Sequence, residues 1–204
     1  MDSDLGMQVK LPRTRRGQAT MRKLLDAATA EFGERGFHEA SISSITTRAG
    51  VALGTFYTYF ESKDALFRAL ILDLSGQIRA DASAAIAQET DPFTIEQRAL
   101  AAFLGFASEH KEIYRIIDEA EFVDPETYRS HYTTIADRIA GRLREGSQNG
   151  VLKPDLGEIE AWAIMGMNVF LGLRFAVWRT DEDAKLEHVA QSANAMLRSG
   201  LSRT

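Results

Sequence analysis

Cysteine is absent from this 204-residue chain. That excludes disulfides, thiolate zinc sites, iron–sulfur clusters and thiol nucleophiles. Proline occurs four times and glycine fifteen, too rarely for a collagen-like or low-complexity chain. No apolar run reads as the ~18–20 uninterrupted residues of a spanning helix. The longest candidate, Ala161 to Trp178, is broken by Asn168 and Arg174. Residues 1–10 begin acidic and lack the apolar core of a secretory signal. The expected location is the cytoplasm, with no membrane partner. The histidines, His38, His110, His131 and His188, lack the His-Glu-x-x-His spacing of a metal helix. Phosphate-loop, dinucleotide and Gly-x-Ser-x-Gly fingerprints are missing too. The glutamates 109, 112, 119 and 121 read as solvated helix faces. The chain is therefore not expected to be an enzyme, and neither a cofactor nor a metal is expected.

What remains is an ordinary globular composition, 45% hydrophobic and 26% charged. The net charge of −5 is unevenly spread. Residues 10–63 carry nine Lys/Arg against five Asp/Glu, and residues 64–204 carry fifteen against twenty-two. A basic front and an acidic remainder suit a chain whose first part meets a polyanion.

The apolar spacing is helical nearly throughout, so an all-α fold is expected. Residues 1–17 read as a flexible basic arm ending in Lys10, Arg13, Arg15 and Arg16. A first helix is expected from about Gln18, with Met21, Leu24, Leu25, Ala28 and Phe32 as its stripe and Gly36 at its end. Ser41 caps a short helix carrying Ile42, Ile45 and Ala49, and Gly50 ends it. A second short helix follows from Leu53 to Phe60, then a long one over 63–89. Asp91-Pro92 breaks that long helix, and Asp124-Pro125 marks a helix start. Further helices are expected at about 94–108, 111–120, 125–146, 157–178 and 183–199.

Two short helices joined by Ala49-Gly50-Val51-Ala52 have the size of a helix-turn-helix. Glycine permits the left-handed turn, and Phe56 and Phe60, four apart, make an inward stripe. The residues Phe32-Gly33-Glu34-Arg35-Gly36-Phe37, then Ser44-Ile45-Thr46-Thr47-Arg48-Ala49-Gly50-Val51, then Gly54-Thr55-Phe56-Tyr57-Thr58-Tyr59-Phe60-Glu61-Ser62-Lys63-Asp64 closely resemble the TetR family of bacterial transcriptional regulators. The likeness runs from about Gln18 to Phe67.

The resemblance implies a three-helix, helix-turn-helix DNA-binding domain over 18–62. It implies a helical ligand-binding and dimerisation domain over 63–204. It also implies a repressor that binds a palindromic double-stranded operator as a homodimer and leaves it on binding a small effector. The helix from Leu53 takes the part of the recognition helix. DNA contacts are expected from Ser43, Leu53, Gly54, Thr55, Tyr57, Thr58, Tyr59 and Lys63. Thr55, Thr58 and Tyr59 point outward in this reading, Tyr57 lies near the edge, and Lys63 holds a phosphate. Three departures stand out: Ala52 replaces the usual serine cap, Ser43 stands where many relatives carry a larger polar residue, and the recognition helix has no Lys or Arg for the bidentate guanine contact.

Helix 157–178 carries two apolar stripes where a monomer's surface helix needs one. One comprises Ile159, Trp162, Ala163, Gly166, Val169, Phe170, Leu173 and Val177. The other comprises Ile164, Met167, Leu171, Phe175 and Trp178. A second copy is expected to cover one of them, as in the resembling family. That family also holds an inducer in its middle helices. Here the candidate wall is Phe103, Phe106, Tyr114, Tyr128, Tyr132, Trp162, Met165 and Phe170. His110, Tyr128, Tyr132, Asn168 and Arg174 are the polar candidates, and such a wall suits a lipophilic effector. The alternative is a helical protein-interaction module without sequence-specific DNA binding.

Overall fold

The computed structural model describes residues 12–180 and 184–203, so Lys10 and most of the expected arm lie outside the described residues. The helices are α1 (Arg15–Glu39), α2 (Ile42–Ala49), α3 (Leu53–Tyr59), α4 (Lys63–Ile86), α5 (Pro92–Glu109), α6 (Glu112–Val123), α7 (Pro125–Gln148), α8 (Glu158–Gly172) and α9 (Leu186–Leu201). A π-helical turn, Leu173–Val177, continues α8. Among the described residues no strand forms, which makes the fold all-α as expected. Helix α1 starts three residues earlier than expected. The reason is local: Thr14 is extended, and its hydroxyl accepts from the Gly17 N–H at 3.1 Å. Asp124 caps as expected, accepting from the Thr127 N–H at 3.1 Å, and Asp91 also caps, accepting from the Thr94 N–H at 2.9 Å, so α5 starts at Pro92, two residues earlier than expected.

The chain divides into two compact units, and the division does not fall at residue 63. The first holds residues 1–74 and 112–129, the second 75–111 and 130–204. Both α4 and α7 are split between them. The reason is that α6 lies along α1, and glycine makes the approach possible. A Cβ on Gly33 would come within 2.5 Å of the Glu112 Cβ. Below this contact, Phe32, Phe37 and Phe67 pack with ring centroids 4.8–5.7 Å apart. Leu24, Ile45, Phe56, Phe60, Leu66 and Ile116 complete a buried core.

In the second unit, α5 packs on α8 and α9. One apolar cluster joins Phe93, Ile139, Leu143, Ile164 and Met165; another joins Leu100, Leu104, Val189 and Ala193. Two polar groups are buried among them with partners. Glu96 takes a bidentate bond from Arg142 (2.6 and 3.0 Å), and Asn194 donates to Gln97 at 3.0 Å.

As expected, one helix runs through both Asn168 and Arg174. Glu158–Val177 is long and apolar enough to cross a membrane by length and composition. Asn168 lies on the inner side, and Arg174 is exposed with its guanidinium 4.9 Å from the Phe175 ring centroid. The charge therefore interrupts the composition without interrupting the helix.

Also within the second unit, His131 Nδ1 lies 2.7 Å from Ser75 Oγ, and burial pushes the imidazole down to about 4. The unfolded chain takes up this proton near 6.5 and the folded chain does not until about 4. Stability is thus fully present above the unfolded value and falls as pH drops below it. Between pH 6.5 and 5 we expect His131 to account for a loss of about 2 kcal/mol. Urea titrations of wild type and His131→Gln at stepped pH check this. Parallel stability curves over that interval would contradict it.

Candidate nucleic-acid interface

Helices α2 and α3 are held apart and at a fixed angle by a short link. Ser41 and Ser44 form a reciprocal capping box at the start of α2. At its end Gly50 is left-handed (φ 66, ψ 36), and the Val51 N–H returns to the Thr46 carbonyl at 3.0 Å. No atom crowds Gly50, so its backbone angle, not space, demands glycine. Ala52 makes no side-chain cap, as the sequence implies.

Phe56 and Phe60 are fully buried, which fixes the rotation of α3. The outward face is then Leu53 (51% exposed), Gly54, Tyr57 (53%) and Thr58. Thr55 and Tyr59 are half-buried. This reverses the expected order of the two tyrosines: Tyr57 stands out, and Tyr59 folds back. The Tyr59 hydroxyl lies 3.5 Å from where a Gly17 Cβ would be. Passage of α1 beside the end of α3 is a tertiary fact, invisible in the helical wheel. Ser43 is exposed on α2.

Lys63 also departs from expectation. Its ammonium donates to the carbonyls of Phe37 (2.6 Å), Ala40 (2.8 Å) and, more loosely, His38 (3.4 Å). It sits 4.4 Å from the Phe37 ring centroid. Three donors meet three carbonyls, and these are the carbonyls that a helix end leaves without intrahelical partners. The geometry makes Lys63 a tie across the α1–α2 link and does not aim it at a phosphate.

Arg48, at the end of α2, is a second tie. It donates to buried Glu31 at 2.7 Å and forks onto Glu34 at 2.9 and 2.5 Å. The Ser44 hydroxyl and the Arg48 guanidinium hold the Glu31 carboxyl below the usual carboxylate range, although burial pushes it up.

Arg15 and Arg16 of the basic arm are not among the DNA contacts expected from the sequence. Both are exposed in the first turn of α1, and that turn has no acid. Positive charge at a positive helix end is self-repulsive, an arrangement that suits an external anion. The next residue, Gly17, lies beside Tyr59 at the end of α3.

A family described as bacterial regulatory proteins, tetR family, matches residues 24–70. UidR of Escherichia coli strain K12, an HTH-type transcriptional regulator, is 27% identical over 188 residues, covering 87% of each chain. YdgC of Bacillus subtilis, an uncharacterised HTH-type transcriptional regulator, is 44% identical over 64 residues, 31% of this chain and 33% of that protein. Among solved structures, a TetR-like regulator from Rhodococcus sp. RHA1 is 26% identical. It covers 94% of this chain and all of that one, with a TM-score of 0.69. These likenesses support the TetR family for this chain. It is a helix-turn-helix transcriptional regulator. Its relatives are named as regulators, and no catalytic family is indicated.

The effector candidates scatter over several helices. In the second unit, Phe106 is buried and stacks on His110 with centroids 4.4 Å apart. Phe103 packs against the Leu104–Val189 cluster, and Tyr132 against the Met165 cluster. Tyr114 and Tyr128, both half-buried, belong to the first unit. Trp162 and Phe170 do not join the wall. They share the outer stripe of α8 with Ile159, and Phe170 is 71% exposed, because Ala161, Ile164 and Met165 take the inward face.

Proposed function

We propose that the protein is an effector-released repressor that binds a palindromic operator as a homodimer. The observation that carries this reading is the uncovered apolar face of the second unit. Ile159 (81% exposed), Phe170 and Met196 (70%) stand out on α8 and α9, with Trp162 and Trp178 also exposed. Scattered exposed apolar residues are ordinary, but Ile159, Trp162 and Phe170 recur at helical spacing along α8, and such a row marks an association surface. A second copy supplies the matching face, since a two-fold interface is self-complementary. Two copies then present two α3 helices to paired half-sites about 34–36 Å apart, or a multiple of that.

On α3, Leu53 meets thymine methyl groups, Gly54 lets the backbone close on the groove, and the hydroxyls of Tyr57 and Thr58 bond to phosphates or base edges. Ser43 of α2, with Thr55 and Tyr59 at the margins, completes the DNA-facing surface. Arg15 and Arg16 bind phosphate. The effector is lipophilic, held by aromatic side chains such as Phe103, Phe106 and Tyr132, with His110 and Arg174 as polar candidates. FadR of Bacillus subtilis, solved in complex with stearoyl-CoA, has the same fold at 21% identity over 88% of this chain (TM-score 0.77). The effector lowers operator affinity by binding more tightly to the DNA-incompetent state, since equal affinity for both states shifts nothing. As a regulator of DNA the protein works in the cytoplasm.

Selection of duplexes from a random pool by the full chain tests the reading. An inverted repeat is expected, bound by two copies in sedimentation. Arg15→Ala and Arg16→Ala should each lower the slope of log affinity against log salt by about one for every phosphate no longer neutralised. Lys63→Ala should leave that slope unchanged. A pool that enriches no sequence would instead favour a helical interaction module.

A further inference from the structure

We infer that Arg115 and Glu119 of α6 position the DNA-reading helices by completing the hydrogen bonds that the bend at Gly36 breaks in α1. This rests on the reading that α2 and α3 meet DNA.

At Gly36 the backbone leaves the helix (φ 82, ψ 167), although the segment continues to Glu39. In an unbroken helix the Phe37 N–H would donate to the Gly33 carbonyl, and the His38 N–H to that of Glu34. The bend separates both pairs. Helix α6 supplies replacements one turn apart. Glu119 Oε2 accepts from the Phe37 N–H at 2.6 Å. Arg115 donates from one nitrogen to the carbonyls of Gly33 and Glu34, each at 3.1 Å. The two side chains also bond to each other at 3.2 Å, so each fixes the other's rotamer. Donor is thus returned to acceptor and acceptor to donor at one break.

The seat is built for this pair. A Cβ on Gly36 would lie 2.5 Å from Glu119 Oε1 and 2.7 Å from an Arg115 nitrogen. Gly33, three residues earlier, admits the α6 backbone beside Glu112. On the far side of the same link, Lys63 holds the carbonyls of Phe37, His38 and Ala40. Residues 37–40 lead directly into the Ser41 cap of α2, so whatever sets their direction sets that of α2 and α3. The ordinary use of such charged pairs is a solvated helix face, where the partner is another side chain or water. Here the partners are three backbone atoms at one bend. Neither residue lies on α2 or α3, so removing either side chain should disturb presentation while every DNA-facing side chain is retained.

Full-length wild type, Glu119→Ala, Glu119→Gln and Arg115→Ala are compared in operator titrations over a range of salt. Thermal melts and hydrogen exchange at the Phe37 amide accompany them, and exposed Glu121→Ala on the same helix is the control. In Glu119→Ala, exchange at Phe37 should quicken about tenfold or more, the scale of a missing bond to a charged group. Operator affinity should fall about tenfold in both alanine variants, with the salt slope and the affinity for random duplex unchanged. Glu119→Gln keeps an accepting oxygen and should recover part of the loss, and Glu121→Ala should match wild type. A folded variant whose operator affinity stays within twofold of wild type overturns the inference. So does an equal loss on random duplex with a reduced salt slope, which would mean a direct phosphate contact. Should an alanine variant melt below the assay temperature, Glu119→Gln and the Phe37 exchange decide. If wild type selects no sequence, the DNA reading fails, while Phe37 exchange still reports whether the clamp exists.

Discussion

Gly36→Ala is expected to cost about 3 kcal/mol, since the backbone there lies in a region that essentially only glycine enters. The φ of 82 and ψ of 167 are strained for any L side chain, and the new methyl group would meet the Arg115–Glu119 pair as well. A melting point lower by roughly 6–12 °C should follow. Gly50→Ala is the natural comparison. Gly50 is also left-handed (φ 66), but nothing lies within 4 Å of its missing Cβ. Its cost is the conformational one alone, about 1–2 kcal/mol. The order of the two melting points is therefore fixed in advance. A Gly36→Ala protein that melts with or above Gly50→Ala would show that the bend and its α6 cover do not contribute together.

Phe170→Glu is expected to leave the protein monomeric at micromolar concentration. A carboxylate buried without a partner costs about 3–5 kcal/mol, and two-fold symmetry counts it twice. The dimer constant should therefore weaken more than thousandfold. Because Phe170 is largely exposed in the single chain, the monomer itself should fold and melt much as wild type does. Sedimentation velocity separates the outcomes, and a folded Phe170→Glu protein that remains a dimer would move the interface off the outer stripe of α8. The same variant should lose affinity for a full palindrome and keep what it has for a single half-site.

Much of the candidate interface is legible along the chain because its causes are local. Ser41 and Gly50 bracket α2, Asp124-Pro125 opens α7, and the four-residue spacing of Phe56 and Phe60 turns α3 inward. Each depends on neighbours within a turn or two. Lys63 is legible as a cation at the start of α4, but not as a tie, since its carbonyl partners lie 23 to 26 residues away. The tyrosines of α3 exchange roles for the same reason: a wheel gives their angles, and the passage of α1 decides which angle is covered.

The amino-acid sequence alone determined the helical class, the helix-turn-helix with its left-handed glycine, and the presence of two apolar stripes on α8. These follow from 3.6-residue periodicity, capping chemistry and the steric freedom of glycine, all short-range. Only the tertiary structure decided that α6 belongs with the DNA-reading unit, that Trp162 and Phe170 face outward, and that Arg115 and Glu119 close the break in α1. Those last bonds depend on side chains meeting backbone about eighty residues away. Periodicity places a residue on a face of its helix, but it does not say which other helix arrives there.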